Sequence, residues 1–182
     1  LVGYAGTGKT TLVENMVRYG AAREFNVVVV APTNKAANVL KQKLGAAKVD
    51  VETSTFHKWL YKTPEDGETV WRPKGIKPGT LAIIDESSLL AAQPYADLAA
   101  ALAASPGSKA LFIGDNYQLE QVGEASHVLD EELSPVNPKY KSTLSGVMRQ
   151  AADSDVLVTA TRLRATRELG VPSKSTDQFK LH

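Results

Sequence analysis

The chain has 182 residues, 43% of them hydrophobic and 23% charged, which suits one globular domain with a real core. No apolar run approaches the ~20 residues that a membrane-spanning helix needs. The absence of cysteine excludes disulfides and cysteine-held zinc and is compatible with a reducing cytoplasm, while a formal net charge of +1 means that any nucleic-acid surface must be a local patch.

The chain opens on Leu1-Val2-Gly3, which reads as the tail of a buried strand rather than a natural start. Apolar strand-like runs then alternate with helix-like patterns, so a parallel α/β sheet is expected. The first strand ends at Val2. Residues 10–19 read as a helix with Leu12, Val13, Met16 and Val17 on one face and Gly20 as its C-cap. A buried strand follows at 27–31, broken by Pro32-Thr33, then a helix at 35–44 stopped by Gly45, and a short helix at 54–61. Residues 62–79 hold three prolines, three glycines and an Asp66-Gly67 turn signal, the pattern of an inserted β-hairpin. Further strands are expected at 81–84, 110–113 and 141–144, with helices at 95–104 and 156–167. Residues 169–182 are polar and weakly patterned, as in a linker or frayed end.

The sequence from Gly3 through Tyr4, Ala5, Gly6, Thr7, Gly8 and Lys9 to Thr10 follows a strand and opens a helix, the context of a phosphate-binding loop. Its glycines let backbone N–H groups turn inward on phosphates, and the helix N-terminus adds a favourable dipole. Lys9 would place a charge on the β- and γ-phosphates, Thr10 would offer its hydroxyl to Mg²⁺, and Thr11 completes the cradle. Asp85-Glu86 ends an apolar strand, where ligand groups gather in such sheets. Asp85 suits the magnesium, and Glu86 can accept a proton from attacking water. Gln118, beyond the strand ending in Gly114-Asp115, can orient water or sense a γ-phosphate, or simply sit in a loop. Arg149 can reach a phosphate with its forked donors, or be a surface arginine.

Pro32, Thr33 and Lys35, and Thr55 with His57, lie just after apolar segments and suit contacts to a phosphate backbone, with an N-cap as the alternative for Thr33 and a structural role as an even alternative for His57. Phe56 reads as core. Trp71, among Lys62, Arg72, Lys74 and Lys77, either offers a ring for base stacking or folds back to anchor the hairpin.

These motifs, in this order, resemble the first RecA-like domain of superfamily 1 DNA helicases, in the RecD-like branch that includes Dda-type phage helicases. The matching stretches are GYAGTGKTT, VVVVAPTNKAANVL, TSTFHKWL, LAIIDESSLL, LFIGDNYQLEQVG and LSGVMRQ, from Gly3 to Gln150. The resemblance implies a P-loop NTPase fold, a parallel sheet flanked by helices, over residues 1–61 and 80–168, with 62–79 as a wedge-like hairpin. It implies Lys9, Thr10, Asp85, Glu86, Gln118 and Arg149 as the Mg-ATP residues. It implies Pro32, Thr33, Thr55 and His57 as a track for single-stranded DNA, with Trp71 at the wedge. An ATP-driven helicase of a bacterial or phage-infected cytoplasm, moving 5′ to 3′ and opening a duplex fork, is the expectation. A non-catalytic nucleotide-binding subunit and an RNA-directed ATPase are the alternatives. Leu89 stands where the family often has methionine, a change that conserves volume. Nothing after Gln150 resembles the family's second RecA-like domain, so a fragment of a longer chain is expected.

Overall fold

The computed structural model describes residues 1–3, 7–64, 71–115 and 138–144. In chain order the elements are β1 (Val2–Gly3), α1 (Lys9–Ala22), β2 (Asn26–Ala31), α2 (Asn34–Ala46), β3 (Glu52–Thr55), α3 (Phe56–Leu60), β4 (Tyr61–Lys62), β5 (Arg72–Pro73), β6 (Thr80–Ile84), a 3-10 turn (Ser87–Leu89), α4 (Ala92–Ala103), β7 (Lys109–Phe112), a second 3-10 turn (Pro138–Tyr140) and β8 (Thr143–Leu144).

A four-stranded parallel sheet runs β3-β2-β6-β7, and β1 pairs in parallel with β8. The two are joined at a parallel bridge between Val2 and Gly114, where Gly3 N donates to Gly114 O at 3.0 Å and Gly114 N to Leu1 O at 3.2 Å. β7 therefore lies between β1, which leads into the glycine loop, and β6, which leads into Asp85-Glu86.

Side-chain alternation along β2 and β6 builds a core on each face of the sheet. Val29, Ala31 and Ile83 pack with Val13 and Val17 of α1 and Leu40 and Leu44 of α2. Val28, Val30, Ala82 and Ile84 pack on the other face with Phe56 and Leu60 of α3 and Leu98 of α4. Every residue of β6 is buried, as a strand covered on both faces requires. Among the described residues, no helix is long and apolar enough to cross a membrane.

The structure differs from the sequence expectation in four places. α1 runs through Gly20 to Ala22. Gly20 is not a cap: a Cβ there would stand 2.7 Å from Val27 Cγ2 and 2.9 Å from Leu81 Cδ2, so glycine lets the helix approach the sheet. Likewise α2 passes Gly45 and ends at Ala46. Residues 52–55 form the edge strand β3, extending into the stretch expected to be helical, because Ser54 and Thr55 pair with Val30 and Ala31. α4 begins at Ala92, three residues before the expected start at Tyr95, since Pro94 is tolerated in a first turn, where its missing N–H bonds nothing. The expected helix at 156–167, the linker at 169–182 and the hairpin tip at Asp66-Gly67 lie outside the described residues.

Candidate nucleotide site and the groove beside it

Gly3 is buried at the end of β1, and a Cβ there would lie 2.7 Å from Thr7 Oγ1 and 3.1 Å from Leu144 Cβ. Gly8 adopts φ +85°, a left-handed conformation that glycine takes without steric cost, and caps α1. Lys9 opens that helix and its Nζ donates to Gly3 O, which turns the ammonium back over the loop. Thr7 is buried, Thr10 is half-buried and Thr11 is exposed. Tyr4, Ala5 and Gly6 lie outside the described residues.

Two strands away, Asp85 N donates to Val30 O at 2.9 Å as β6 ends. Glu86 then takes φ +51°, a conformation uncommon for a residue with a Cβ. The following turn holds it there: Ser87 is fully buried, and its N and Oγ both donate to Ile113 O, at 2.9 and 3.0 Å. Burial raises the Asp85 carboxyl above the ordinary carboxylate range, against a backbone hydrogen bond at Glu86 and the charges of Lys9 and Lys43. Burial raises Glu86 as well, followed by the charge of Asp85, while Lys9 and Lys43 oppose the shift.

The fold thus brings Lys9, Asp85 and Glu86 within electrostatic reach of one another across the end of β7. Asp115, which follows Gly114 at that end, is 1% exposed. Lys43 was not anticipated; it is one of several lysines on α2, and only the tertiary placement of that helix carries its charge to the carboxylates. Gln118 and Arg149 lie outside the described residues. Among the described residues no group of three or more His, Cys, Asp or Glu side chains is set to hold a metal. The donor set nonetheless fits Mg²⁺: a hydroxyl from Thr10 and a carboxylate from Asp85 are hard oxygen ligands, and this ion is commonly held by one or two carboxylates plus substrate phosphates.

The other end of the same sheet edge carries the remaining candidate residues. Thr33 caps α2, its hydroxyl accepting from Ala36 N at 3.2 Å, and Thr55 accepts from Lys58 N at 3.3 Å. Each hydroxyl keeps its own proton to donate elsewhere. Lys35 is exposed. Pro32, Phe56, His57, Leu89, Leu90, Ala91 and Pro94 line a cavity of about 190 Å³. Phe56 is fully buried, as core. His57 stacks on Tyr61 with ring centroids 5.4 Å apart. Trp71, 49% exposed, meets His57 and Tyr61 edge-on at 6.3 and 6.4 Å. Tyr61 Oη donates to Asp97 Oδ2 at 2.7 Å, and burial, then this bond, pushes the phenol well above its ordinary value. β4 and β5 pair antiparallel through Tyr61↔Pro73 and Lys62↔Arg72, so Trp71 stands on the loop side of this pair, its ring meeting His57 of α3 while half its surface stays in solvent.

The profile of the family described as AAA domain matches residues 1–177. The chain is 31% identical over 162 residues to the ATP-dependent RecD2 DNA helicase of Deinococcus radiodurans, an alignment covering 88% of this chain and 21% of that protein. It is 28% identical over 179 residues to an uncharacterized protein of Methanocaldococcus jannaschii, covering 90% of this chain and 15% of that one. Among solved structures, Bacteroides sp Pif1 in complex with ADP-AlF4 matches with a TM-score of 0.53 and 22% identity, over 90% of this chain and 41% of that chain. The chain therefore spans about a fifth or less of the curated relatives it matches.

Proposed function

The chain belongs to the AAA domain family and has a helicase-like P-loop ATPase fold; from that premise we propose that it binds and hydrolyses Mg-ATP, coupled to movement of a larger protein along single-stranded DNA. The observation that carries the reading is the placement of Lys9 against Asp85 and Glu86 across β7, with the charges felt in both carboxyls.

Each residue has a task that its position suits. The glycine loop and the N-terminus of α1 receive the phosphates. Lys9 leaves Gly3 O for the β- and γ-phosphates. Thr10 and Asp85 would hold Mg²⁺, which would supply electrostatic stabilisation to the phosphates. Glu86, raised by burial, accepts a proton from water. Gln118 and Arg149 are assigned to γ-phosphate sensing and charge stabilisation through the resemblance. Pro32, Thr33, Lys35, Thr55 and His57 form the DNA track, and residues 62–79, with Trp71 on the loop side of the strand pair, form a wedge at the fork. The RecD-like resemblance favours 5′-to-3′ travel. A second RecA-like domain of the same protein would supply the other half of the nucleotide site and of the DNA grip.

The test is ATP turnover by the full-length protein with and without single-stranded DNA or RNA. Turnover raised by DNA and abolished by Glu86→Gln, with nucleotide binding retained, is the expected result. Unchanged turnover in Glu86→Gln would refute the assignment of the base, and stimulation by RNA alone would refute the DNA reading.

A further inference from the structure

The cavity and the base candidate are two ends of one short turn. Leu89 N donates to Glu86 O at 3.0 Å and Leu90 N to Ser87 O at 3.1 Å, and Leu89 and Leu90 are walls of the cavity that Pro32, Phe56 and His57 close from the other side. A 3-10 turn rises ~2 Å per residue, so only about 6 Å of rigid backbone separates the wall from Glu86. Resting on the reading that this domain hydrolyses ATP in response to single-stranded DNA, we propose that the Ser87–Leu89 turn is a lever by which one nucleobase seated in the Pro32–His57–Leu90 cavity sets the position of Glu86.

Two features of the turn mark it as an element with a second arrangement. Glu86 is held at φ +51°, a conformation that persists only while its surroundings enforce it. Ser88 Oγ is buried with no hydrogen-bond partner among the described residues. Its neighbour Ser87 is doubly bonded to Ile113 O. The start of the turn is therefore pinned, while its middle holds a buried polar group without a partner among the described residues, a mark of stored strain. A ring entering the cavity pushes on Leu89 and Leu90, beyond the pinned residue, and the Leu89–Glu86 hydrogen bond carries the shift to the carboxylate's own backbone.

The occupant follows from the chemistry of the walls. They are apolar or aromatic, with one imidazole and no carboxylate. The exposed Lys35 and Lys58 and the capping hydroxyl of Thr33 flank them in sequence. That combination suits a strand of alternating anionic groups and flat rings. At about 190 Å³ the cavity is smaller than the ~300–1,000 Å³ of sites for cofactor-sized ligands, and it fits a single ring system.

The experiment uses the full-length protein and measures ATP turnover without DNA, with oligothymidylate, and with a fully abasic oligonucleotide of the same length, alongside the affinity of each strand. Oligothymidylate should raise turnover by about tenfold or more, while the abasic strand, bound through its phosphates, leaves it within about twofold of the DNA-free rate. Leu89→Ala should lower the stimulated-to-unstimulated ratio by about fivefold at saturating oligothymidylate. Ser88→Ala, which removes the unpartnered hydroxyl and so favours the arrangement described here, should raise the DNA concentration needed for half-maximal stimulation and serves if Leu89→Ala does not fold. Stimulation by the abasic strand equal to that by oligothymidylate overturns the base-sensing lever, as does a ratio unchanged in both variants. Wild-type turnover unmoved by any oligonucleotide overturns the DNA reading itself, and the lever with it.

Discussion

Alanine at Gly20 and at Gly45 should move stability in opposite directions, although both glycines lie near the ends of helices. At Gly20 the new methyl would stand 2.7 Å from Val27 Cγ2 and 2.9 Å from Leu81 Cδ2. Val27 and Leu81 are cross-strand partners of β2 and β6, and Val27 is stiff at χ1, so the overlap is relieved only by lifting α1 from the sheet. Overpacking of this kind costs about 1–3 kcal/mol, and the gain in helix propensity offsets roughly 0.5–1 kcal/mol of it. At the middle of these ranges the net loss is about 1.3 kcal/mol, which corresponds to a fall in Tm of roughly 3–5 °C for a chain of this size. At Gly45 nothing lies within 4 Å of the added Cβ and φ is not positive, so alanine should stabilise by about 0.5–1 kcal/mol. Thermal unfolding of the two variants beside the wild type is the assay. Because α1 begins at Lys9, Gly20→Ala should also raise the KM for ATP. A Gly20→Ala protein melting at or above the wild type would refute the close approach on which this reasoning rests.

Three further outcomes are expected. Asp85 and Glu86 both have folded values raised above 3.8 and 4.5, so in that window the nucleotide-free folded state binds more protons than the unfolded chain, and stability present on the acid side is lost as pH rises through the raised values. Asp85→Asn should flatten that slope in denaturant titrations across a pH series; a slope unchanged by the substitution would show that burial does not strain this carboxylate. Thr33→Ala should cost about 1 kcal/mol through loss of the α2 cap, and Thr33→Ser should restore it, as read by urea unfolding; equal stability of the two variants would contradict the cap. Trp71→Ala removes two edge-on ring contacts worth about 0.5–1.5 kcal/mol each, yet its half-exposed ring should matter more to duplex opening than to folding, so unwinding that stays intact in a stable variant would reduce Trp71 to an anchor.

What was legible in the sequence is what chemistry confines to neighbouring residues. A strand, a glycine loop and a helix start announce themselves within a dozen positions from Val2 onward, and the apolar runs at 27–31 and 81–84 are found as β2 and β6 to within a residue. β3 was not legible because Glu52-Thr53-Ser54-Thr55 carries little apolar signal and is held as a strand by the hydrogen-bonding edge of β2. Gly20 has the sequence pattern of a cap, while the close neighbours that decide its role, Val27 and Leu81, come from two separate strands. The cavity draws on residues 32, 56–57 and 89–94, and no local pattern joins those three stretches. In the sequence Trp71 is equally a stacking ring and an anchor, and its geometry shares features of both.

The position of β6 explains why the chemistry of the two halves of the sheet edge meets at Asp85-Glu86. β6 pairs with β2 on one side and β7 on the other, so its outgoing loop is hydrogen-bonded to both neighbours, to Val30 O through Asp85 N and to Ile113 O through Ser87 N. Toward β7 and β1 lie the glycine loop and Lys9. Toward β2 and β3 lie Pro32, Thr33, Thr55 and His57. A carboxylate at the end of an edge strand would have felt only one of these groups. Placed on the central strand, it is raised by burial, restrained by Lys9 and Lys43, and tied by the next three residues to a wall of the cavity. The same placement holds the strained backbone of Glu86: the residue after it is fastened to Ile113 O through both its N and its Oγ.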